Sequence, residues 1–134
     1  MGETDWRALS EAEWRARLTP AQYQILREKG TEPAFGGDLW DQHAPGVYAC
    51  AGCGQELFRA QDKFDSGTGW PSFSDAIARE RLELREDKSL LMSRTEVLCA
   101  RCGGHLGHVF PDGPPPTNLR FCMNSAALSF KPQT

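Results

Sequence analysis

The sequence predicts an α+β domain, mainly β, with an antiparallel core, and three observations carry that prediction. Two segments with helix-start signals come first, within residues 5–30. From Gly46 onward the chain breaks into short alternating segments bounded by turn residues, the pattern of short strands. Two Cys-x-x-Cys-Gly turns, with 45 residues between them, punctuate those segments and offer a way to staple them together.

The 134 residues fit one domain, with a helical arm and loop over 1–45 and a β core over 46–131. With 40% hydrophobic and 25% charged residues the chain is expected to be soluble and globular. A net charge of −3 provides no basic footprint and argues against nucleic acid as a partner. No apolar run approaches a membrane span, so no membrane partner is expected. The start, Met1-Gly2-Glu3-Thr4-Asp5-Trp6, lacks the cationic and apolar regions of a signal peptide, which makes a cytoplasmic location and a monomer the expectation.

Ser10-Glu11-Ala12-Glu13 has the form of a capping box, so a short helix should run through Trp14 and Leu18. Thr19-Pro20-Ala21-Gln22 opens a second helix, with a cap, Pro at the first position and Gln at the third. Its apolar positions are Tyr23, Ile25, Leu26 and the Ala21 side, and Gly30 is placed to end it. The arm is expected to be a surface-packed appendage. Residues 31–46 read as loop, broken by Pro33, Gly36-Gly37 and Pro45. Strands are then expected around Val47–Ala49, Glu56–Arg59 and Leu82–Arg85, with a turn at Lys88-Ser89 and a longer strand from Leu90 to Leu98. Phe64 to Phe73 is a turn-rich loop that carries Trp70.

Five cysteines leave one over once two pairs are formed. Cys50-Ala51-Gly52-Cys53-Gly54 and Cys99-Ala100-Arg101-Cys102-Gly103 repeat each other at both cysteines, the alanine and the glycine, so two similar strand-turn-strand units should face each other. Zn²⁺ favours four thiolates in a tetrahedron, and each tight bend offers two. Cys50, Cys53, Cys99 and Cys102 are therefore the expected ligands of one structural zinc, with redox dithiols or plain core cysteines as the competing readings. A four-thiolate site has no open position, so the metal should staple the fold and not activate water.

Cys122 is the thiol left over, in Asn118-Leu119-Arg120-Phe121-Cys122-Met123-Asn124-Ser125. This stretch alternates as a half-buried strand, which places Arg120, Cys122 and Asn124 on one face and Leu119, Phe121 and Met123 on the other. A neighbouring guanidinium favours thiolate over thiol. An inert buried cysteine in an edge strand is the plainer alternative. His105 and His108 follow the second cysteine turn; three apart, they belong on opposite faces of a simple strand, unless a bulge near Gly107 turns both to one side. They are then candidate acids near neutral pH, against one exposed and one satisfied core histidine. Asp112 either orients one of them or serves only its Pro-Asp-Gly turn. Trp70 and Phe110 are either core aromatics or the apolar wall of a small-molecule pocket.

Three blocks together, Gly67-Thr68-Gly69-Trp70-Pro71-Ser72-Phe73, the run from Cys99 to Gly113, and Arg120-Phe121-Cys122-Met123-Asn124-Ser125-Ala126-Ala127-Leu128, resemble the signature of the B-type methionine-R-sulfoxide reductases over about residues 10–131. The resemblance implies two antiparallel sheets in a β-tent-like core, N-terminal helices and a structural zinc. It implies reduction of the R epimer of methionine sulfoxide, free or protein-bound, an epimer selectivity that belongs to this repair enzyme class. Cys122 would be the nucleophile and would become a sulfenic acid, His105 and His108 would give protons to the sulfoxide oxygen, and Trp70 would hold the substrate methyl. Arg120, Asn124 and Asp112 would complete the site around the thiol. Many members carry a second, resolving cysteine in the loop before the tryptophan; here Thr68 stands there, so a thioredoxin or a small thiol is the implied direct reductant. Two rivals remain: a zinc-stapled binding module without catalysis, and a peroxide-sensing thiol. Neither needs Cys122, both histidines and a Trp-lined pocket at once.

Overall fold

The computed structural model describes residues 5–87 and 94–133; the turn at Lys88-Ser89 and the first part of the strand expected from Leu90 lie outside them. Two short helices open the chain, α1 (Glu11–Arg17) and α2 (Pro20–Glu28). Both begin as their sequences require. Glu13 N donates to Ser10 Oγ at 3.2 Å while Ser10 N donates to Glu13 Oε1 at 2.9 Å. Thr19 and Gln22 repeat the exchange at 3.1 and 2.9 Å. These reciprocal bonds satisfy amides that have no partner inside the helix.

The end of α2 differs from expectation. Lys29, not Gly30, takes the left-handed conformation, at φ 57°. Gly30 N then donates to Gln24 O at 2.9 Å, and Lys29 N donates to the same carbonyl, so one acceptor closes the end of the helix. A Cβ on Gly30 would press against Gln24 at 3.0 Å, so the glycine answers a lack of space and not a positive φ. Ala21 is exposed and takes no part in the buried face, which consists of Tyr23, Ile25 and Leu26.

The arm is not an appendage. Trp14, Leu18, Tyr23, Ile25 and Leu26 belong to the same buried cluster as the strand residues. The reason lies in the cysteine turns. A Cβ at Gly52 would sit 3.3 Å from Trp14, and one at Gly104 would sit 2.9 Å from Leu26. Bare backbone at those two points makes a surface on which Trp14 and Leu26 rest.

Nine strands follow among the described residues: β1 (Gly46–Cys50), β2 (Glu56–Arg59), β3 (Lys63–Phe64), β4 (Ser72–Phe73), β5 (Leu82–Asp87), β6 (Arg94–Cys99), β7 (His105–Phe110), β8 (Arg120–Met123) and β9 (Leu128–Pro132). They form two antiparallel sheets, a small one ordered β2-β1-β9 and a large one ordered β3-β4-β8-β7-β6-β5. The strand that carries Cys122 is thus interior, between β4 and β7, and not at an edge. Its alternation holds: Phe121 and Met123 are buried, while Arg120 and Cys122 are half-buried. Aromatic rings join the sheets, with Phe58 of β2 stacked on Phe73 of β4 at 4.4 Å and Tyr48 of β1 edge-on to Phe73 at 5.0 Å. Among the described residues no helix is long and apolar enough to cross a membrane.

The loop between α2 and β1 folds back over the large sheet. The Glu32 carboxylate accepts from the amides of Ser125 and Ala126 at 2.8 and 3.0 Å. Phe35 N donates to Gly69 O at 2.8 Å. Gly69 has φ 91°, and a Cβ there would lie 2.7 Å from Phe35, so glycine is needed for both backbone conformation and contact. These bonds fix the loop that carries Trp70.

Candidate active site and metal centre

The two cysteine turns have matching backbone bonds. Gly54 N donates to Cys50 O at 2.8 Å, and Gly103 N to Cys99 O at 2.7 Å. Cys50 N donates to Gln55 O at 2.8 Å, and Cys99 N to Gly104 O at 2.9 Å. Gly54 and Gly103 hold φ values of 82° and 76°, which a side chain would resist. The turns face each other, as the repeat implies, and the four buried sulfurs lie within 4.8 Å of one another. Cys50 Sγ is 3.7 Å from Cys102 Sγ, and Cys53 Sγ is 3.6 Å from Cys99 Sγ. Zn–S bonds of about 2.3 Å in a tetrahedron require sulfurs about 3.8 Å apart. The donor set fits such an ion.

The second site is built by strand register. Opposite residues in an antiparallel pair share a face. Glu96 of β6 lies opposite His108 of β7, His108 opposite Cys122 of β8, and Cys122 opposite Ser72 of β4. One row across four strands therefore carries a carboxylate, an imidazole, a thiol and a hydroxyl. One step along, Phe110 of β7 lies opposite Arg120 of β8, with the guanidinium 4.4 Å above the ring centre.

A bulge brings in the other histidine. Val97 pairs with Gly107 but Leu98 pairs with His105, so Leu106 is the extra residue on β7. That one-residue shift puts His105 on the face of His108, and their rings lie 5.5 Å apart, edge to face. Gly107 has its own reason to be glycine: a Cβ there would collide with the Cys122 carbonyl.

A cleft of about 260 Å³ opens on this face, lined among others by Thr68, Trp70, His108, Phe110, Cys122 and Asn124. Trp70 is held by its indole N–H, which donates to Glu32 O at 2.9 Å. Asn124 Nδ2 donates to Leu106 O at 3.1 Å, and its Oδ1 accepts from Glu32 N at 3.0 Å. Arg120 also lines the cleft and is gripped by Asp112 through two bonds, 2.9 and 3.1 Å. Of the residues predicted around the thiol, His105 and Asp112 do not line the cleft: His105 is buried beside His108, and Asp112 reaches the cleft only through Arg120. Asp112 touches neither histidine. His105 Nδ1 lies 2.8 Å from Glu96 Oε2, and His108 Nε2 lies 2.9 Å from Asp87 Oδ2.

A family model described as the SelR domain matches residues 18–132. The chain belongs to the MsrB-type peptide methionine sulfoxide reductase family. It is 60% identical over 124 residues to the peptide methionine sulfoxide reductase MsrB of Thiobacillus denitrificans, spanning 92% of this chain and 94% of that one. To the protein of the same name from Methanosarcina barkeri it is 59% identical over 122 residues, 91% of this chain and 86% of that one. A mouse relative, methionine-R-sulfoxide reductase B3, mitochondrial, is 53% identical over 123 residues, which cover 92% of this chain and 49% of that protein. As a member of the MsrB family the chain is an oxidoreductase that acts through cysteine redox chemistry.

The thiol environment is more balanced than the strand pattern suggests. Burial pushes the Cys122 thiol above the ordinary cysteine range; the Arg120 guanidinium and hydrogen bonding to Thr68, Arg120 and Ser72 pull it back. Burial wins, so Arg120 moderates the cost of forming a thiolate without reversing it. Arg120→Met keeps much of the packing over Phe110 and removes the charge. Alkylation of Cys122 by iodoacetamide at neutral pH should then slow roughly tenfold, and its rise with pH should move to higher pH. An unchanged pH–rate curve would show that the guanidinium does not act on the thiol. The groups missed by sequence reading are Glu96, Asp87, Glu32 and Ser72. Ser72 lies in a recognisable block, but the other three are joined to the site only by long-range pairing.

Proposed function

We propose that the chain reduces the R epimer of methionine sulfoxide to methionine, with Cys122 as nucleophile, and that an external thiol restores it. The observation that carries this reading is Cys122 directly across from His108 in a cleft walled by Trp70 and Phe110. The Cys122 thiolate attacks the sulfoxide sulfur while the oxygen takes up a proton. The oxygen passes to Cys122 as a sulfenic acid and methionine leaves, so the substrate sulfur gains two electrons and the cysteine sulfur loses two. In this reading His108, which lines the cleft, supplies the proton, with the His105 ring 5.5 Å from it. Trp70 and Phe110 receive the apolar end of the substrate, and Asn124 and Arg120 its polar surroundings. Cys50, Cys53, Cys99 and Cys102 hold a zinc ion that staples the two turns and takes no part in the reaction.

Thr68 sits in the cleft beside Cys122, where its hydroxyl bonds with Ser66 Oγ at 2.7 Å. The four other cysteines are gathered in the metal cluster. One molecule of thiol condenses with the sulfenic acid, releasing water and leaving a mixed disulfide; a second thiol releases Cys122 and carries away the disulfide. A thioredoxin or a small thiol fits this role. Separate R and S epimers test the reaction: only the R epimer should be consumed, and equal turnover of both would refute the proposal. Mass spectrometry after one turnover without reductant should find oxidised Cys122 and no internal disulfide. A Cys122 disulfide to any metal-cluster cysteine would overturn the external-reductant route.

A further inference from the structure

Glu96 is a buried carboxylate with 4% of its surface exposed, on a strand that otherwise turns apolar residues inward. A buried charge is costly unless it is paired. One oxygen meets His105 Nδ1 at 2.8 Å; the other meets Lys29 Nζ at 3.4 Å, and that lysine is largely exposed. The His105 side chain is as deeply buried, and its Nε2 makes no hydrogen bond among the described residues. A carboxylate cannot donate, so the proton of this pair lies on Nδ1. The nitrogen away from Glu96 is then the one free to take or release a proton, with the His108 ring 5.5 Å off.

We propose that Glu96 is a positioning residue for the reductive step: it fixes the Nδ1–H tautomer and the orientation of His105, and so sets up the paired imidazoles behind Cys122. The proposal rests on the reductase reading. A single buried acceptor on one nitrogen is the usual device for choosing the active nitrogen of an imidazole. Burial pulls the imidazole toward its neutral form, and Glu96 opposes that by favouring imidazolium. The titratable groups that act on His105 are Glu96 on β6, Lys29 after α2 and His108 on its own strand. Beyond these, Asp87 on β5 binds His108. Lys29 also ties the end of α2 to the pair, which gives the helical arm a part in the site's electrostatics.

Nitrogen-detected NMR of the imidazoles in the wild-type, zinc-loaded chain tests the proposal without substrate. The neutral His105 ring should be protonated at Nδ1; a ring protonated at Nε2 overturns it, and no variant is needed for that result. In Glu96→Gln the His105 titration should move to lower pH, while Glu96→Asp should restore part of it. Single-turnover methionine formation should fall about tenfold in Glu96→Gln, with substrate affinity unchanged and the acid limb of the pH profile displaced. An unaltered titration, an unaltered rate, or a loss confined to substrate affinity overturns the proposal. A wild-type chain that consumes no R epimer, in contrast, removes the reductase reading itself.

Discussion

Cys122→Ser should abolish reduction of the R epimer, by on the order of 10⁴-fold or more, as removal of an attacking nucleophile does elsewhere. Serine is close to cysteine in size, and Cys122 is only half-buried on an interior strand, so the variant should fold. The strand's packing comes from Phe121 and Met123 on its opposite face, which the change leaves alone. What is lost is sulfur chemistry: a hydroxyl is far harder to ionise and has no oxidation state to which the sulfoxide oxygen can pass. Trp70, Phe110 and Asn124 still line the cleft, so substrate affinity by calorimetry should stay within a few-fold of wild type. Mass spectrometry should find no oxidised species after incubation with substrate. Activity that survives the substitution would remove Cys122 from the mechanism and favour the binding-module reading.

The features legible in the sequence were those governed by spacing inside one element. Capping boxes at Ser10 and Thr19 depend on side chains three residues apart, and both form as written. Strand parity needs only the two-residue repeat, and it placed Arg120, Cys122 and Asn124 around one cleft. The doubled cysteine turns carry their own geometry, and their sulfurs converge. The histidines show where such rules end. Their shared face needs the bulge at Leu106, which exists only through pairing of β7 with β6. Near Gly107 the sequence allowed a bulge without requiring one.

The partners of those histidines were beyond local reading. Asp112 is four residues from His108 and seven from His105 in sequence, yet it turns to Arg120, which lies across the hairpin between β7 and β8. Glu96 and Asp87 reach His105 and His108 from β6 and β5, and only the register of three strands brings them there. The docking of the arm is hidden from local sequence for a related reason. Its apolar face is plain in Tyr23, Ile25 and Leu26, but its docking surface is bare backbone at Gly52 and Gly104. Glycine in a metal turn signals a bend; that it also leaves room for a helix emerges only when the two turns meet.

Loss of the proposed zinc ion should unfold the domain. Structural zinc sites contribute about 10–16 kcal/mol in small domains, comparable to or above the ~5–15 kcal/mol that holds a typical domain folded. Here the dependence follows from topology. One cysteine turn joins β1 to β2 of the small sheet, and the other joins β6 to β7 of the large one. The four thiolates are thus a direct link between sheets, and Trp14 and Leu26 of the arm rest on the glycines of the same turns. Without the ion, buried sulfurs within 4.8 Å of one another must stay protonated or repel. Elemental analysis should find one zinc per chain. Chelation, or Cys99→Ser where chelation is slow, should erase the near-UV circular dichroism and the cooperative melt. Activity should vanish with the fold and not ahead of it, because the cleft residues are placed by β7 and β8, and β7 begins three residues after Cys102. A metal-free chain that melts cooperatively at the wild-type temperature would show that the sheets are held together by their aromatic contacts alone.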